Sequence, residues 1–127
     1  MAHKKTIAVV EDNKDSRLLI RTILGDHYRI TEYSSSYEAL EGLKRKVPDL
    51  IILDISLPGM DGVELLKRLR SNPRLKRLPV IALTAHAVTG DRETYLSSGF
   101  DDYVAKPIVD EDSLLSSIKR LFSMGFA

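Results

Sequence analysis

Three carboxylates, one hydroxyl and one ammonium group each follow directly after a short apolar stretch of this sequence. Carboxylate oxygens are preferred ligands of hard metal ions such as Mg²⁺, and hydroxyl and ammonium groups donate hydrogen bonds to phosphate oxygens. These residue types therefore indicate chemistry on a phosphoryl group with the help of a metal ion. The stretches are 7–10 before Glu11 and Asp12, 50–53 before Asp54, 80–83 before Thr84, and 103–105 before Lys106.

The carboxylates of Glu11, Asp12 and Asp54 need compensation if they lie close together. Two unit charges about 5 Å apart repel by about 3 kcal/mol at an effective dielectric of about 20. Three ionised carboxylates therefore require raised pKa values or a bound cation. A set of oxygen ligands without nearby His or Cys suits Mg²⁺. Taken alone, Glu11 and Asp12 are more typical of an acidic surface pair, so the metal site depends on Asp54 lying beside them.

Asp54 differs from an ordinary loop carboxylate because a rigid turn, Leu57–Gly62, connects it to the next predicted helix. A carboxylate held beside Mg²⁺ can attack a phosphoryl group and form an aspartyl phosphate. Lys106 offers an ammonium to the phosphoryl oxygens, and Thr84 offers a hydroxyl. The bond between Lys106 and Pro107 is a candidate cis peptide, which would turn the ammonium inward.

The elements that must position these side chains are strands and helices in alternation. Short apolar stretches separated by helical patterns are typical of parallel strands buried on both faces. The carboxyl ends of parallel strands lie along one edge, where open α/β folds bind ligands. Right-handed crossovers favour a doubly wound sheet of five strands with five helices. The strand order 2-1-3-4-5 would place strands 1 and 3 side by side, with their carboxylates adjacent.

Element boundaries are marked by capping residues and by Gly or Pro. Polar side chains open helices, and Gly or Pro closes them. Apolar side chains at helical spacing in the last helix predict a stripe that packs on the core. The predicted elements are a strand Tyr28–Tyr33, a helix Lys14–Leu24 closed by Gly25, a helix through Lys46 opened by a capping box of Ser35 and Glu38, a helix from Asp61 to about Ser71, a helix opened by Thr89 or Asp91 and closed by Gly99, and a helix opened by Asp110 with the stripe Leu114, Ile118, Leu121 and Phe122.

The size and composition predict one domain over residues 1–127, with an ordered core of about 5–123 and no output domain in the chain. The 127 residues are 43% hydrophobic and 29% charged, which excludes a disordered chain. No apolar stretch approaches the roughly 20 residues of a membrane span, and the amino terminus lacks a signal-peptide core. The absence of cysteine excludes disulfides and fits a cytoplasmic protein. A net charge of +1 gives no overall attraction to nucleic acid or membrane.

One segment is strongly basic. Six of the eleven residues 67–77 are Lys or Arg. A basic binding patch is one interpretation, but no aromatic residue lies among them to stack on bases. The pattern favours a solvated helix face followed by a loop. The six residues are Lys67, Arg68, Arg70, Arg74, Lys76 and Arg77.

Taken together, these motifs resemble the receiver domain of the response regulators of two-component signalling, over essentially the whole chain. The resemblance implies a flavodoxin-like fold and transfer of a phosphoryl group from a phosphohistidine. Asp54 would be the phosphoacceptor. Asp12 would bind Mg²⁺ directly, Glu11 through water, and Ser56 by its backbone carbonyl. The motifs that carry the resemblance are Glu11-Asp12, Asp54, Leu57–Gly62, Thr84-Ala85 and Lys106-Pro107.

The resemblance also implies a switch and two partner surfaces. Thr84 would be the switch hydroxyl and Tyr103 the switch aromatic, which would change the face made by helix 4, strand 5 and helix 5 for a downstream effector protein. Ser56 and His86 would tune the lifetime of the phosphoryl group. A sensor histidine kinase or histidine phosphotransfer domain would dock on helix 1, near Asn13, Ser16 and Leu19.

Three rival functions remain open. An aspartyl-phosphate phosphatase of the haloacid dehalogenase type would carry a second aspartate two residues after the nucleophile, where this chain has Ser56. A flavin-binding domain would need a phosphate-cradling loop after strand 1, where Glu11 and Asp12 would repel phosphate. A docking module independent of phosphorylation is the third. The favoured interpretation is a regulator that catalyses only its own phosphorylation and dephosphorylation. It would be a stand-alone regulator, an intermediate of a phosphorelay, or the receiver of a hybrid kinase.

Overall fold

Strands and helices alternate along the whole of the chain that the structure, a computed structural model, describes: residues 4–85, 91–108 and 110–124. Five strands and five helices lie within these residues. They are β1 (Thr6–Val10), α1 (Lys14–Leu24), β2 (Arg29–Tyr33), α2 (Ser36–Arg45), β3 (Leu50–Asp54), α3 (Gly62–Arg70), β4 (Val80–Thr84), α4 (Asp91–Ser97), β5 (Asp102–Ala105) and α5 (Glu111–Ser123).

The strands form one parallel sheet in the order β2-β1-β3-β4-β5, which confirms the predicted doubly wound topology. Val10 of β1 pairs with Leu53 of β3, so the residues that follow both strands emerge side by side. In the same way Asp54 pairs with Leu83 of β4, and Thr84 pairs with Ala105 of β5. The register therefore brings the polar ends of β1, β3, β4 and β5 to one edge of the sheet.

Helices cover both faces of the sheet, so every residue of β3 and β4 is buried. Alternate strand side chains enter one of two apolar layers. On one face the core packs against α1 and α5, including the predicted stripe on α5, of which Leu114, Ile118 and Leu121 are buried and Phe122 is partly buried. On the other face it packs against α2 and α3. The stripe is therefore core packing, as predicted.

Polar side chains open the helices where the sequence indicated. The Asn13 side chain accepts from the Ser16 backbone N–H over 2.9 Å, and the Asp61 side chain accepts from the Glu64 N–H over 2.9 Å. At α2 the Ser35 hydroxyl accepts from the Glu38 N–H over 3.1 Å. The Glu38 carboxylate, however, accepts from Ser34 rather than from Ser35, so the capping box is completed one residue earlier than predicted.

Two helices, α2 and α3, each end one residue earlier than predicted. Helix α2 ends at Arg45, one residue before Lys46, and α3 ends at Arg70, one residue before Ser71. Helix α4 begins at Asp91, one of its two predicted starts, and Thr89 lies outside the described residues. Gly99 follows α4 with a φ of 108°, a conformation that glycine adopts without a clash of Cβ.

Arg70 does not belong to the solvated face that was predicted for the basic segment. Its guanidinium donates to the carbonyls of Lys76, Leu78 and Gly99 over 2.9, 2.6 and 2.8 Å, and to the Asp101 carboxylate over 3.0 Å. It therefore ties α3 to the segments that precede β4 and β5. The other five cations are exposed, as a solvated face requires. Sequence periodicity missed Arg70 because its partners lie up to 31 residues away.

Among the described residues, none of the helices is both long enough and apolar enough to cross a membrane.

Candidate functional site

The three carboxylates lie together at the carboxyl edge of the sheet. Glu11 directly follows β1, and Asp54 is the last residue of the neighbouring strand β3. One oxygen atom from each of Glu11, Asp12 and Asp54 lies within 4.8 Å of the others. Glu11 and Asp54 are buried, whereas Asp12 is exposed. Glu11 and Asp54 therefore form the buried part of the cluster, and Asp12 forms the part that is open to solvent.

Lys106 joins the two buried carboxylates. Its Nζ atom donates to Oε1 of Glu11 over 2.9 Å and to Oδ2 of Asp54 over 3.0 Å. The backbone N–H of Lys106 donates to the Thr84 carbonyl over 2.8 Å, which fixes the start of the side chain beside β4. The Lys106–Pro107 peptide is cis, as the sequence suggested. The ammonium thus compensates part of the charge that the carboxylates accumulate.

The surroundings push the pKa values of Glu11 and Asp54 in opposite directions. Burial, and then the hydrogen bond to Asp54, raises the pKa of Glu11 to about 7. Burial alone would raise the pKa of Asp54, but hydrogen bonds from Glu11, the Ser56 N–H and Lys106 outweigh it and hold that pKa below its usual value. The Ser56 N–H donates to Oδ1 of Asp54 over 3.0 Å. Of these two buried carboxylates, Asp54 is therefore the one whose surroundings favour the ionised form.

The same contacts keep Lys106 charged. Burial lowers the pKa of the ammonium, but its hydrogen bonds to Glu11 and Asp54 more than reverse this, so the pKa lies above its usual value. A positively charged group thus remains beside Asp54 at neutral pH. Such a group can pair with a carboxylate or with a phosphoryl oxygen.

The donor set suits a hard divalent cation. All three acidic side chains offer oxygen atoms, and the chain has no cysteine. Exposed Asp12 leaves the cluster open on one side, which accommodates an ion such as Mg²⁺ that keeps several of its waters. The residues present therefore fit the predicted metal.

Thr84 lies at the same edge of the sheet as the cluster, and a tyrosine on α4 connects it with Tyr103 of β5. Thr84 ends β4 and is buried, and its Oγ1 atom lies 2.8 Å from the hydroxyl of Tyr95 on α4. The ring centroids of Tyr95 and Tyr103 are 5.9 Å apart. Tyr95 was missed from the sequence because α4 has only seven residues, with adjacent Tyr95 and Leu96 as its large apolar side chains, so no periodicity marks an inward face.

The remaining predicted residues are placed as follows. Ser56 is exposed, two residues beyond Asp54, and its N–H contacts that carboxylate. His86 lies outside the described residues. Asn13 caps α1. Ser16 and Leu19 line a cavity of about 50 Å³ together with Ile20, Leu83, Lys106, Pro107 and Ile108.

A family profile and two curated proteins show what this chain is similar to. The sequence profile of the response regulator receiver domain matches residues 7–119. An uncharacterized 14.6 kDa protein of Leptolyngbya boryana is 46% identical over 80% of this chain and 79% of its own length. The signal transduction histidine-protein kinase BarA of Escherichia coli strain K12 is 39% identical over 84% of this chain. That match spans only 12% of the kinase.

Two solved structures share the fold. The receiver domain of the sensor histidine kinase PA1611 of Pseudomonas aeruginosa has a TM-score of 0.83 and 34% identity, covering 93% of this chain and 97% of that one. It was solved with a magnesium ion coordinated in the active site cleft. The signal receiver domain of a histidine kinase of Syntrophus aciditrophicus has a TM-score of 0.84 and 34% identity, covering 95% of this chain and 92% of that one.

Proposed function

Because this chain belongs to the family of response regulator receiver domains, which act as signalling switches, we propose that it accepts a phosphoryl group on Asp54. The observation that supports this choice is the environment of that carboxylate. Asp54 is buried at the end of β3, with a lowered pKa and with Lys106 donating to one of its oxygens. A carboxylate that is ionised and held in place is prepared to act as a nucleophile.

The transfer makes one bond and breaks one bond. A carboxylate oxygen of Asp54 attacks the phosphorus of a phosphohistidine, a P–O bond forms, and the P–N bond breaks. The imidazole leaves with the electron pair and takes up a proton. Lys106, which pairs with Asp54 at rest, then donates to an oxygen of the new acyl phosphate. Hydrolysis by water regenerates the carboxylate and releases inorganic phosphate.

Asp12, Asp54, Glu11 and the backbone carbonyl of Ser56 would hold Mg²⁺ for this reaction. When bound, the ion neutralises charge on the transferring phosphoryl group. The clustered oxygens of Glu11, Asp12 and Asp54 support this assignment. The magnesium ion in the related PA1611 receiver domain supports it independently.

The switch uses Thr84 and Tyr103. A phosphoryl group on Asp54 draws the Thr84 hydroxyl toward itself, and the Tyr103 ring moves into the space this leaves. The face formed by α4, β5 and α5 then changes and controls binding of an effector protein. Ser56 and His86 tune how long the phosphoryl group survives. The phosphoryl group shifts an existing equilibrium between two states, and the size of the shift equals the difference in its interaction free energy with those states.

The phosphodonor is a sensor histidine kinase or a histidine phosphotransfer domain, which docks on α1. Ser16 and Leu19 lie on this helix and Asn13 caps it, and the cavity lined by Ser16 and Leu19 reaches Lys106. Leu18 and Leu19 are exposed by 59% and 38%, which offers apolar area to a partner.

We place the domain in the cytoplasm, without direct contact to nucleic acid or membrane.

The test is incubation with Mg²⁺ and acetyl phosphate, followed by intact mass and by hydroxylamine treatment. We expect one added phosphoryl group on the wild-type protein, removed by hydroxylamine because an acyl phosphate is attacked more readily than a phosphoester. Asp54→Asn should take up none, whereas Asp26→Asn, which alters an exposed residue of the turn after α1, should behave as the wild type. No adduct on the wild type, or an undiminished adduct on Asp54→Asn, would overturn the proposal and favour a docking module or another acceptor.

A further inference from the structure

Tyr95 connects α4 to the switch hydroxyl. Its hydroxyl oxygen lies 2.8 Å from Oγ1 of Thr84. We propose that this hydrogen bond holds Thr84 in its resting position, which makes Tyr95 a positioning residue that opposes the switch. The inference rests on the proposed function, because it takes the phosphoryl group on Asp54 as the competitor for the same threonine hydroxyl.

The competition follows from the way Thr84 is fixed. Its backbone is held in the sheet between β3 and β5, where it pairs with Ala105. The side chain therefore moves by rotation about χ1, between staggered positions. In the proposed switch, the rotation that carries Oγ1 toward a phosphoryl group on Asp54 carries it away from the Tyr95 hydroxyl. Either hydroxyl can be the donor in the resting contact, so it is this change in the position of Oγ1 that makes the resting contact and the phosphoryl contact compete.

The phenol of Tyr95 is held in place by packing as well as by this bond. Its ring meets Tyr103 at a centroid distance of 5.9 Å and Phe100, nearly edge-on, at 6.3 Å. The Tyr95 carbonyl accepts from the backbone N–H groups of Ser98 and Phe100 over 3.1 Å each. The hydroxyl is thus presented from a fixed ring. Replacing Tyr95 by Phe removes the bond and retains the packing.

This arrangement gives the pocket a direct route to α4. In the switch described above, Thr84 acts on Tyr103 through the space that it vacates. Here the rotation of Thr84 also releases the Tyr95 hydroxyl, and the Tyr95 ring contacts Tyr103. Helix α4 and strand β5 therefore respond to the same event. Removing one hydrogen bond of the resting state should shift the equilibrium toward the responsive state by about three- to tenfold.

The experiment compares Tyr95→Phe with the wild type and with Tyr28→Phe. Tyr28 is a partly buried tyrosine that packs on Phe122, so its substitution is a matched loss of one hydroxyl away from the pocket. The ligand is beryllofluoride with Mg²⁺, which mimics a phosphoryl group on a carboxylate, and its affinity is measured by calorimetry. We expect Tyr95→Phe to bind it about three- to tenfold more tightly and Tyr28→Phe to match the wild type.

A second pair of variants separates positioning from a general effect on structure. In the Thr84→Ala background the hydroxyl is absent, so Tyr95→Phe should change the affinity little. Unchanged or weakened binding of beryllofluoride by Tyr95→Phe would overturn the proposal. An equal gain in affinity from Tyr95→Phe in the Thr84→Ala background would also overturn it. If Tyr95→Phe does not fold, the test is NMR of the Tyr95 ring. Its resonances should shift when beryllofluoride binds to the wild type and shift much less in Thr84→Ala. Equal shifts in the two proteins would overturn the proposal. Failure of the wild type to be phosphorylated would instead refute the proposed function.

Discussion

The Nζ atom of Lys106 donates to Oδ2 of Asp54 across 3.0 Å. The two residues are 52 positions apart in the chain. The parallel sheet brings them together because Asp54 ends β3 and Lys106 follows β5 at the same edge. The same ammonium also donates to Oε1 of Glu11, the second buried carboxylate of the cluster. One cation therefore balances most of the buried charge at the site and is available to a phosphoryl group on the same carboxylate.

Substitution of Lys106 by Met should reveal this charge balance as a loss of stability. The change leaves Glu11 and Asp54 buried without their cation, which costs free energy even after partial protonation. We expect the free energy of unfolding in EDTA to fall by about 1–3 kcal/mol, since Lys106 is itself partly exposed and solvent screens part of the effect. Urea unfolding followed by circular dichroism measures it.

Mg²⁺ provides the internal control for this variant. A bound divalent ion supplies the missing positive charge, so the difference between Lys106→Met and the wild type should narrow when EDTA is replaced by Mg²⁺. Lys119→Met alters an exposed lysine on α5 and should leave stability unchanged in both buffers. Equal stability of Lys106→Met and the wild type in EDTA would show that the ammonium does not compensate the carboxylates.

Asp12 should matter for metal binding and little for folding. Its side chain is exposed, in contrast to those of Glu11 and Asp54. We expect Asp12→Asn to weaken Mg²⁺ binding by at least about tenfold and to change the free energy of unfolding in EDTA by less than about 0.5 kcal/mol. Calorimetric titration with Mg²⁺ gives the affinity. Asp15→Asn, in the first turn of α1, is the matched control, and equal Mg²⁺ affinity of the two variants would contradict the assignment.

Much of the fold and of the site followed from local patterns. Apolar stretches marked the strands because both faces of the sheet are covered, and polar residues at their ends marked the carboxyl edge. The predicted helix Lys14–Leu24 coincides with α1, since Asn13 caps its start. The proximity of Glu11, Asp12 and Asp54 required only the strand order, which the connection rules for parallel sheets limit strongly.

The residues that the sequence did not reveal act across elements. Arg70 sits in a basic segment whose other members are exposed, and its partners at Gly99 and Asp101 lie 29 and 31 residues further along the chain. Tyr95 acts through a hydroxyl aimed at β4, and a helix of seven residues has too little periodicity to show that direction. Both depend on packing between elements, which no local pattern encodes.

Gly62 should be needed for the position of Asp54. A Cβ atom at Gly62 would lie 2.3 Å from the Asp54 carbonyl oxygen and 2.8 Å from the Ile55 Cα. Because both are backbone atoms, Gly62→Ala must displace the chain next to the phosphoacceptor. We expect a loss of about 1–3 kcal/mol in the free energy of unfolding, together with slower labelling by acetyl phosphate.

Gly42→Ala is the comparison for this variant. There the added Cβ would meet the side chain of Tyr33, which is partly buried and can move. Alanine is also favoured over glycine in a helix interior by about 1 kcal/mol. Gly42→Ala should therefore destabilise less and label at the wild-type rate. The role of Gly62 would be refuted if both variants labelled alike.

Arg70 should contribute to stability without taking part in the chemistry. Arg70→Ala removes four hydrogen bonds that tie α3 to the segments before β4 and β5, and leaves Asp101 with the Val80 N–H as a remaining partner. We expect the free energy of unfolding to fall by about 2–3 kcal/mol. Arg70→Lys should recover less than half of it, because a single ammonium cannot replace a planar guanidinium with several fixed donors.

The control for Arg70 is its neighbour Arg68, whose pairing with Glu64 is exposed at 3.4 Å. Arg68→Ala should cost less than about 0.5 kcal/mol, as is usual for such pairs on a helix surface. Labelling with acetyl phosphate under native conditions should be unchanged for both variants, since neither side chain reaches Asp54 or Lys106 by any of its described contacts. Urea midpoints that coincide for Arg70→Ala and Arg68→Ala would mean that the guanidinium contacts do not stabilise the fold. The whole basic segment would then behave as the solvated face that its composition predicts.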